Sequence, residues 1–113
     1  MASMKTGVRR ALLTAAAVAV IALCNTALSA QDAAVLYKAK CSACHGADGK
    51  GDTPVGKKMG LRDFASPEVQ KSSDDELTAI IADGKDKMPS YKKSLKPAQI
   101  KDLVGYIRSL AKK

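Results

Sequence analysis

The sequence predicts an all-α domain of three to four main helices, and three observations predict it. In the last stretch Ile100, Leu103, Val104, Ile107 and Leu110 repeat at i, i+3, i+4 and i+7, the spacing of one buried helix face. Ser73-Asp74-Asp75-Glu76 forms a capping box directly before Leu77, Ile80 and Ile81. From Asp32 to Lys40 an apolar stripe of Ala33, Ala34, Leu36 and Tyr37 runs without Gly or Pro, and no strand alternation follows it.

The chain has 113 residues, enough for one small domain. Its first thirty residues read as a secretory signal peptide. Lys5, Arg9 and Arg10 give a positive start, Ala11 to Leu23 is apolar but for Thr14, and Ala27-Leu28-Ser29-Ala30 offers small residues for cleavage after Ala30 or Ser29. The apolar run is shorter than the ~20 residues a membrane span needs. Cys24 lies within it and is expected to leave with it. The domain is therefore expected at 31–113, in a periplasmic or other extracytoplasmic compartment. Residues 1–30 hold three basic residues and no acid, so the formal charge falls from +8 to +5 on processing. With Phe64 and three tyrosines as the only aromatics and no reading motif, nucleic acid is not an expected partner.

The helix at 32–40 delivers Cys41-Ser42-Ala43-Cys44-His45. Residues three apart on a helical turn share a face, so both thiols can bond one edge of a porphyrin while the next residue brings its imidazole under the iron. The order Cys-x-x-Cys-His thus reads as a covalent attachment site for one haem c, with His45 as the proximal iron ligand. A thioredoxin-like dithiol expects a βαβ setting, and structural zinc wants four ligands where the processed chain offers three. A domain of about 80 residues also has little core of its own, and a covalent haem supplies apolar mass for helices to close on.

Gly46-Ala47-Asp48-Gly49-Lys50-Gly51-Asp52 is a loop with turn chemistry. It lacks the spacing of a phosphate loop and the ligand pattern of an EF-hand. Pro54-Val55-Gly56 continues the loop. Two readings of Pro54 stand: its carbonyl accepts from the second nitrogen of His45, or it is a plain turn proline. Lys57 to Phe64 mixes basic residues with Met59, Leu61 and Phe64. Ser66-Pro67-Glu68 starts a short helix, with Ser66 as N-cap, reaching Gln70. Gly84 ends the capped helix, and Asp83 to Tyr91 is a loop holding Met88-Pro89. Pro97 opens the last helix, whose negative end suits Lys112 and Lys113. Within it Gly105 costs about 1 kcal/mol against Ala; it either permits a close helix contact or means nothing.

One histidine excludes two imidazoles on one iron, which leaves a thioether as the usual partner. Met1 and Met4 lie in the signal, so Met59 and Met88 remain. Met88 is the expected distal ligand, because Pro89 restricts its backbone to extended conformations. Met59 reads as packing of the haem pocket. A filled sixth position leaves an electron to exchange, and no distal His or acid–base pair is present for peroxide chemistry. The expected activity is one-electron transfer without a small-molecule substrate, not catalysis.

These residues together resemble a small class I c-type cytochrome of the bacterial periplasmic type. Leu36-Tyr37 before Cys41-Ser42-Ala43-Cys44-His45-Gly46, then Lys87-Met88-Pro89-Ser90-Tyr91, then Leu103-Val104-Gly105-Tyr106-Ile107 stand in that family's order. The resemblance implies a cytochrome c fold with first and last helices crossing, Ala33 and Tyr37 near Leu103 and Tyr106, and the Pro54 carbonyl accepting from His45. Gly105 departs from the family, where larger residues are common. Arg62 is a candidate partner for a haem propionate, or a solvated surface residue. Lys57, Lys58, Lys85, Lys87, Lys92 and Lys93 are expected in loops near the haem edge, where they steer acidic docking surfaces of redox proteins or serve solubility.

Overall fold

Six helices follow one another in a computed structural model that describes residues 28–113. Cys24, Met1, Met4 and the apolar run lie outside the described residues. Helix α1 covers 28–40 of them, so it reaches four residues further back than Asp32; Leu28, Ser29, Ala30 and Gln31 present nothing that stops a helix. Then come α2 (Ser42–His45), α3 (Pro54–Met59), α4 (Pro67–Lys71), α5 (Asp74–Asp83) and α6 (Pro97–Leu110). No strand occurs among the described residues; the one β-bridge pairs Lys85 with Met88.

The core is built from the predicted faces. Ile100, Leu103, Val104, Ile107 and Leu110 of α6 are all buried, together with Tyr37, Phe64, Ile81 and Leu95. Each such side chain removed from water contributes about 1.5–3 kcal/mol. Tyr37 and Leu103 are the largest fully buried side chains, and the Tyr37 and Tyr106 rings pack with centroids 5.2 Å apart. Tyr37 of α1 therefore meets Tyr106 of α6, as the family resemblance implied, and Ala33 and Leu103 are buried as well. Gly105 takes no part in that meeting: a Cβ there would touch nothing within 4 Å.

Two helix starts behave as read and two differ. The Ser73 hydroxyl accepts from Glu76 N–H at 3.1 Å and Ser73 N–H donates to the Glu76 carboxylate at 2.7 Å, completing the capping box of α5. Pro97 opens α6, with Lys96 N–H donating to Gln99 Oε1 at 2.8 Å. Ser66 occupies the N-cap of α4, but its buried hydroxyl makes no cap bond and has no partner. The segment expected to continue as a loop from Pro54 is helix α3. Thr53 supplies its cap, accepting from Gly56 N–H at 2.8 Å, and Gly60 ends it at φ 67°. The capping threonine before Pro at the first helical position is the local reason, outweighing Gly56. Lys57 and Lys58 consequently sit on a helix.

Arg108 fastens the far side. Its guanidinium donates to Asp74 at 2.8 Å and to the Ser72 carbonyl at 2.6 Å, tying α6 to the α4–α5 junction.

Candidate haem site

Helix α1 ends at Lys40 and α2 begins two residues later, so the Cys-x-x-Cys-His turn is set by where α1 points. Tyr37, on the last turn of α1, donates from its hydroxyl to the Gly46 carbonyl at 2.7 Å, a buried bond that closes α2 back onto α1. Burial pushes the Tyr37 hydroxyl well above its ordinary pKa, with nearby negative groups adding to the shift.

The glycine-rich loop wraps this turn. Gly51 N–H donates to the His45 carbonyl at 2.8 Å, and Thr53, while capping α3, also donates to the Cys44 carbonyl at 2.6 Å. Gly56 lies where a Cβ would collide with the carbonyls of Cys44 and Gly51, so α3 can rest against α2 only through a glycine. Phe64 N–H returns to the Gly49 carbonyl at 2.9 Å and brings its ring over the His45 imidazole, with centroids 4.8 Å apart and planes at 28°.

Met88 is held by other means. Gly84 ends α5 at φ 78°, and the chain turns through Asp86 at φ 52°. Lys85 and Met88 exchange two backbone bonds of 3.1 and 2.9 Å. Tyr91 and Lys92 N–H then donate to the Ile81 and Ala82 carbonyls, Ser90 Oγ also reaches Ala82, and the Tyr91 hydroxyl donates to Lys40 O at 3.1 Å. The loop is stitched to the end of α5 and, across 51 residues, to the end of α1.

Between these parts lies a cavity of about 400 Å³ lined by Cys41, His45, Met59, Leu61, Arg62, Phe64, Met88 and apolar residues of α4, α5 and α6. A smaller one, lined by Cys41, Cys44, His45, Met59, Met88 and Tyr91, adjoins the attachment turn. The structure therefore brings Cys41, Cys44, His45, Met59 and Met88 to one apolar space. The thiols are not paired in a disulfide, and no three His, Cys, Asp or Glu side chains gather as a metal site among the described residues.

Pro54 and Arg62 fare differently. Pro54 lines neither cavity, and His45 Nδ1 is buried with no hydrogen-bond partner, so the expected bond to the Pro54 carbonyl is not formed in this structure. Pro54 opens helix α3 instead of lying in a free turn. Arg62 stands at the cavity wall but is exposed and paired with Glu68 at 2.8 Å.

The residues fit a haem. The space is apolar and of ligand-pocket size, and desolvation by burial lowers the His45 pKa, which favours the neutral imidazole that ligates a metal. The His45 imidazole borders both cavities, with Nδ1 buried and unpartnered.

A protein-family model described as "Cytochrome C oxidase, cbb3-type, subunit III" matches residues 28–107. The chain belongs to this family of c-type cytochromes. It is a small cytochrome of class I, and its cofactor is a covalently bound haem c with its iron. Cytochrome c6 of Limnospira maxima is 32% identical over 84 residues, covering 71% of this cytochrome and 91% of that relative. Cytochrome c6 of Nostoc sp. (strain PCC 7120 / SAG 25.82 / UTEX 2576) is 31% identical over 74 residues, 66% of this chain and 64% of the relative. The solved KustC0563 c-type cytochrome superposes with a TM-score of 0.64 at 37% identity, over 68% of this chain and 94% of that one.

Sequence reasoning missed Phe64, Thr53 and the bracing roles of Tyr37 and Tyr91. Two of them left a signal: Phe64 as the one phenylalanine in the chain, and Thr53 as a capping residue directly before a proline.

Proposed function

We propose that this electron-transferring cytochrome carries one haem joined to Cys41 and Cys44 by thioethers, with His45 and Met88 as the two axial iron ligands. The observation that carries this reading is the convergence of His45 and Met88 on one apolar cavity beside the two thiols. The haem supplies one-electron iron chemistry. Cys41 and Cys44 fix its edge, the neutral His45 imidazole offers a ring nitrogen, and the stitched loop presents the Met88 sulfur, which favours the reduced state and raises the potential. The buried faces of α5 and α6 exclude water. Arg62, at the wall, supports a propionate contact in competition with Glu68. The Pro54 carbonyl is kept as the candidate acceptor for the second ring nitrogen of His45.

The protein is read as a carrier, not an enzyme, made with a leader at residues 1–30 and working as 31–113 outside the cytoplasm. No helix among the described residues is long and apolar enough to cross a membrane. Its partners are redox proteins with acidic docking surfaces. Lys85 and Lys87 line the larger cavity; Lys58, Lys85, Lys87 and Lys93 have no carboxylate partner among the described residues, whereas Lys57 and Lys92 pair with Asp52 and Asp83. Free cations beside the cavity favour steering, and the association rate should fall steeply with salt.

Visible and magnetic spectra of the holoprotein through a redox titration test the axial pair. Six-coordinate, low-spin spectra in both states are expected, and rapid carbon monoxide binding by the reduced protein defeats the reading. A second reading, a haem subunit of a larger oxidase, draws on the description of the matching family. Native-size chromatography separates them: a free small species is a carrier, comigration with an oxidase is a subunit.

A further inference from the structure

We propose that Phe64 is the positioning residue for His45, setting the plane of the imidazole through ring stacking. This rests on the proposed ligation of iron by His45. A metal-bound histidine is ordinarily oriented by a hydrogen bond from its other ring nitrogen. Here that atom, Nδ1, is buried and has no hydrogen-bond partner in the structure. What lies against the imidazole is the Phe64 face, 4.8 Å away and 28° from parallel, the offset geometry in which aromatic rings attract.

Phe64 is itself locked. It is 9% exposed, its N–H donates to Gly49 O at 2.9 Å, and its carbonyl accepts from Gln70 Nε2 at 2.6 Å. Its edge meets Tyr37, with centroids 6.3 Å apart at 67°. Gly49 makes the space: a Cβ there would overlap the Phe64 ring, and its φ of 73° already favours glycine. The imidazole thus leans on a plate clamped from three sides, all by residues outside the Cys-x-x-Cys-His motif.

The orientation of an axial imidazole about the iron–nitrogen bond sets the anisotropy of ferric low-spin iron. Electron paramagnetic resonance g-values and the proton shifts of the haem methyls of the oxidised holoprotein report it directly. Phe64→Leu keeps apolar bulk and removes the ring face, so g-values and methyl shifts are expected to move while the imidazole stays bound. Phe64→Tyr keeps the face and should return the wild-type spectrum. Gly49→Ala, which drives a methyl into the plate, should shift the spectrum with Phe64 still present. Unchanged g-values and methyl shifts in Phe64→Leu overturn the proposal, whatever happens to the melting temperature. So does a Phe64→Tyr spectrum displaced as far as that of Phe64→Leu. If Phe64→Leu does not assemble, Gly49→Ala decides: a shift supports the plate and an unshifted spectrum overturns it. Absence of imidazole nitrogen coupling in the wild-type pulsed resonance spectrum would instead refute ligation by His45, a different failure with a different signature.

Discussion

The two sides of the cavity are held by different physics. On the His45 side the ligand candidate sits one residue from a thiol, and its surroundings are nested glycines, a capping threonine and a stacked ring: Gly51, Gly56, Thr53 and Phe64. On the Met88 side no covalent neighbour helps. A weak thioether is placed by backbone hydrogen bonds that sew a loop to the end of α5. Tight glycine packing and a stacked ring add to the hydrogen bonds that hold the first, whereas the second, though it packs on the core, is placed by the hydrogen bonds of its loop. The helix α1 terminus serves both: its Tyr37 reaches the Gly46 carbonyl, and its Lys40 carbonyl receives Tyr91 from the opposite loop.

The largest effects should come from breaking each side at its anchor. Replacing Cys41 and Cys44 together by serine should leave a pigment that acid acetone extracts completely; retention of colour in the denatured double variant would falsify attachment at this turn. Met88→Ala should convert the low-spin spectrum to one open to carbon monoxide and lower the midpoint potential, since thioether ligation raises it. An unchanged spectrum would assign the sixth position to another group, Met59 first. Next comes Gly84→Ala. A Cβ there meets the backbone of Met88, Pro89 and Ser90 at a φ of 78°, a conformation that costs a non-glycine residue about 1–3 kcal/mol. Thermal melts of the holoprotein should show that loss, and the reduced protein should admit carbon monoxide faster. Gly60→Ala, with a similar φ of 67° but open space around it, should melt early without the second effect.

The same division explains what was legible in the chain. The attachment pentapeptide is contiguous, so its chemistry could be read without a fold, and the faces of α5 and α6 were visible because burial repeats with the helical period. Met88 emerged by elimination and by its proline, both one-dimensional signals. Helix α3 reads as loop on the strength of Gly56 and the glycines before it, although Thr53-Pro54 is a helix start like Ser66-Pro67; it forms because Thr53 caps it while Gly56 lets it touch Cys44. Phe64 was read as one apolar residue among several, since its stacking on His45 depends on a Gly49–Phe64 bond across the loop. Tyr91 reaches Lys40 over 51 residues, a pairing no local pattern encodes.

Tyr37 sharpens the packing side through pH. Its folded pKa is raised, by burial first, from an ordinary value of 10. The folded state then keeps a proton that the unfolded state gives up above that value, so the stabilisation is complete below about pH 10 and is lost as pH rises beyond it. Urea midpoints of the holoprotein should therefore fall above about pH 10. Tyr37→Phe should lose about 1–1.5 kcal/mol at neutral pH, because the buried Gly46 carbonyl loses its 2.7 Å bond from the hydroxyl and keeps only the Gly49 N–H at 3.2 Å, and should show a shallower alkaline fall. Equal alkaline slopes in the two proteins would assign that fall to other groups.

The smallest effect belongs to Tyr91→Phe. Its hydroxyl bond to Lys40 is exposed, and water can replace the donor once it is gone, so the stability cost should be no more than about 0.5–1.5 kcal/mol. The pKa of Tyr91 is raised by burial first and then by the charges of Cys41 and Cys44, and thioether formation removes the second part. What the bond does is span the cavity from the distal loop to the helix that carries the attachment turn. Its loss should therefore appear as faster binding of small external ligands to ferric iron at nearly unchanged melting temperature. Tyr37→Phe, on the packed side, should show the opposite pattern, with a lower melting temperature and ligand access close to wild type. If both tyrosine variants change stability and access in the same proportion, the two sides are one cooperative unit and the distinction between packed and stitched ligands dissolves.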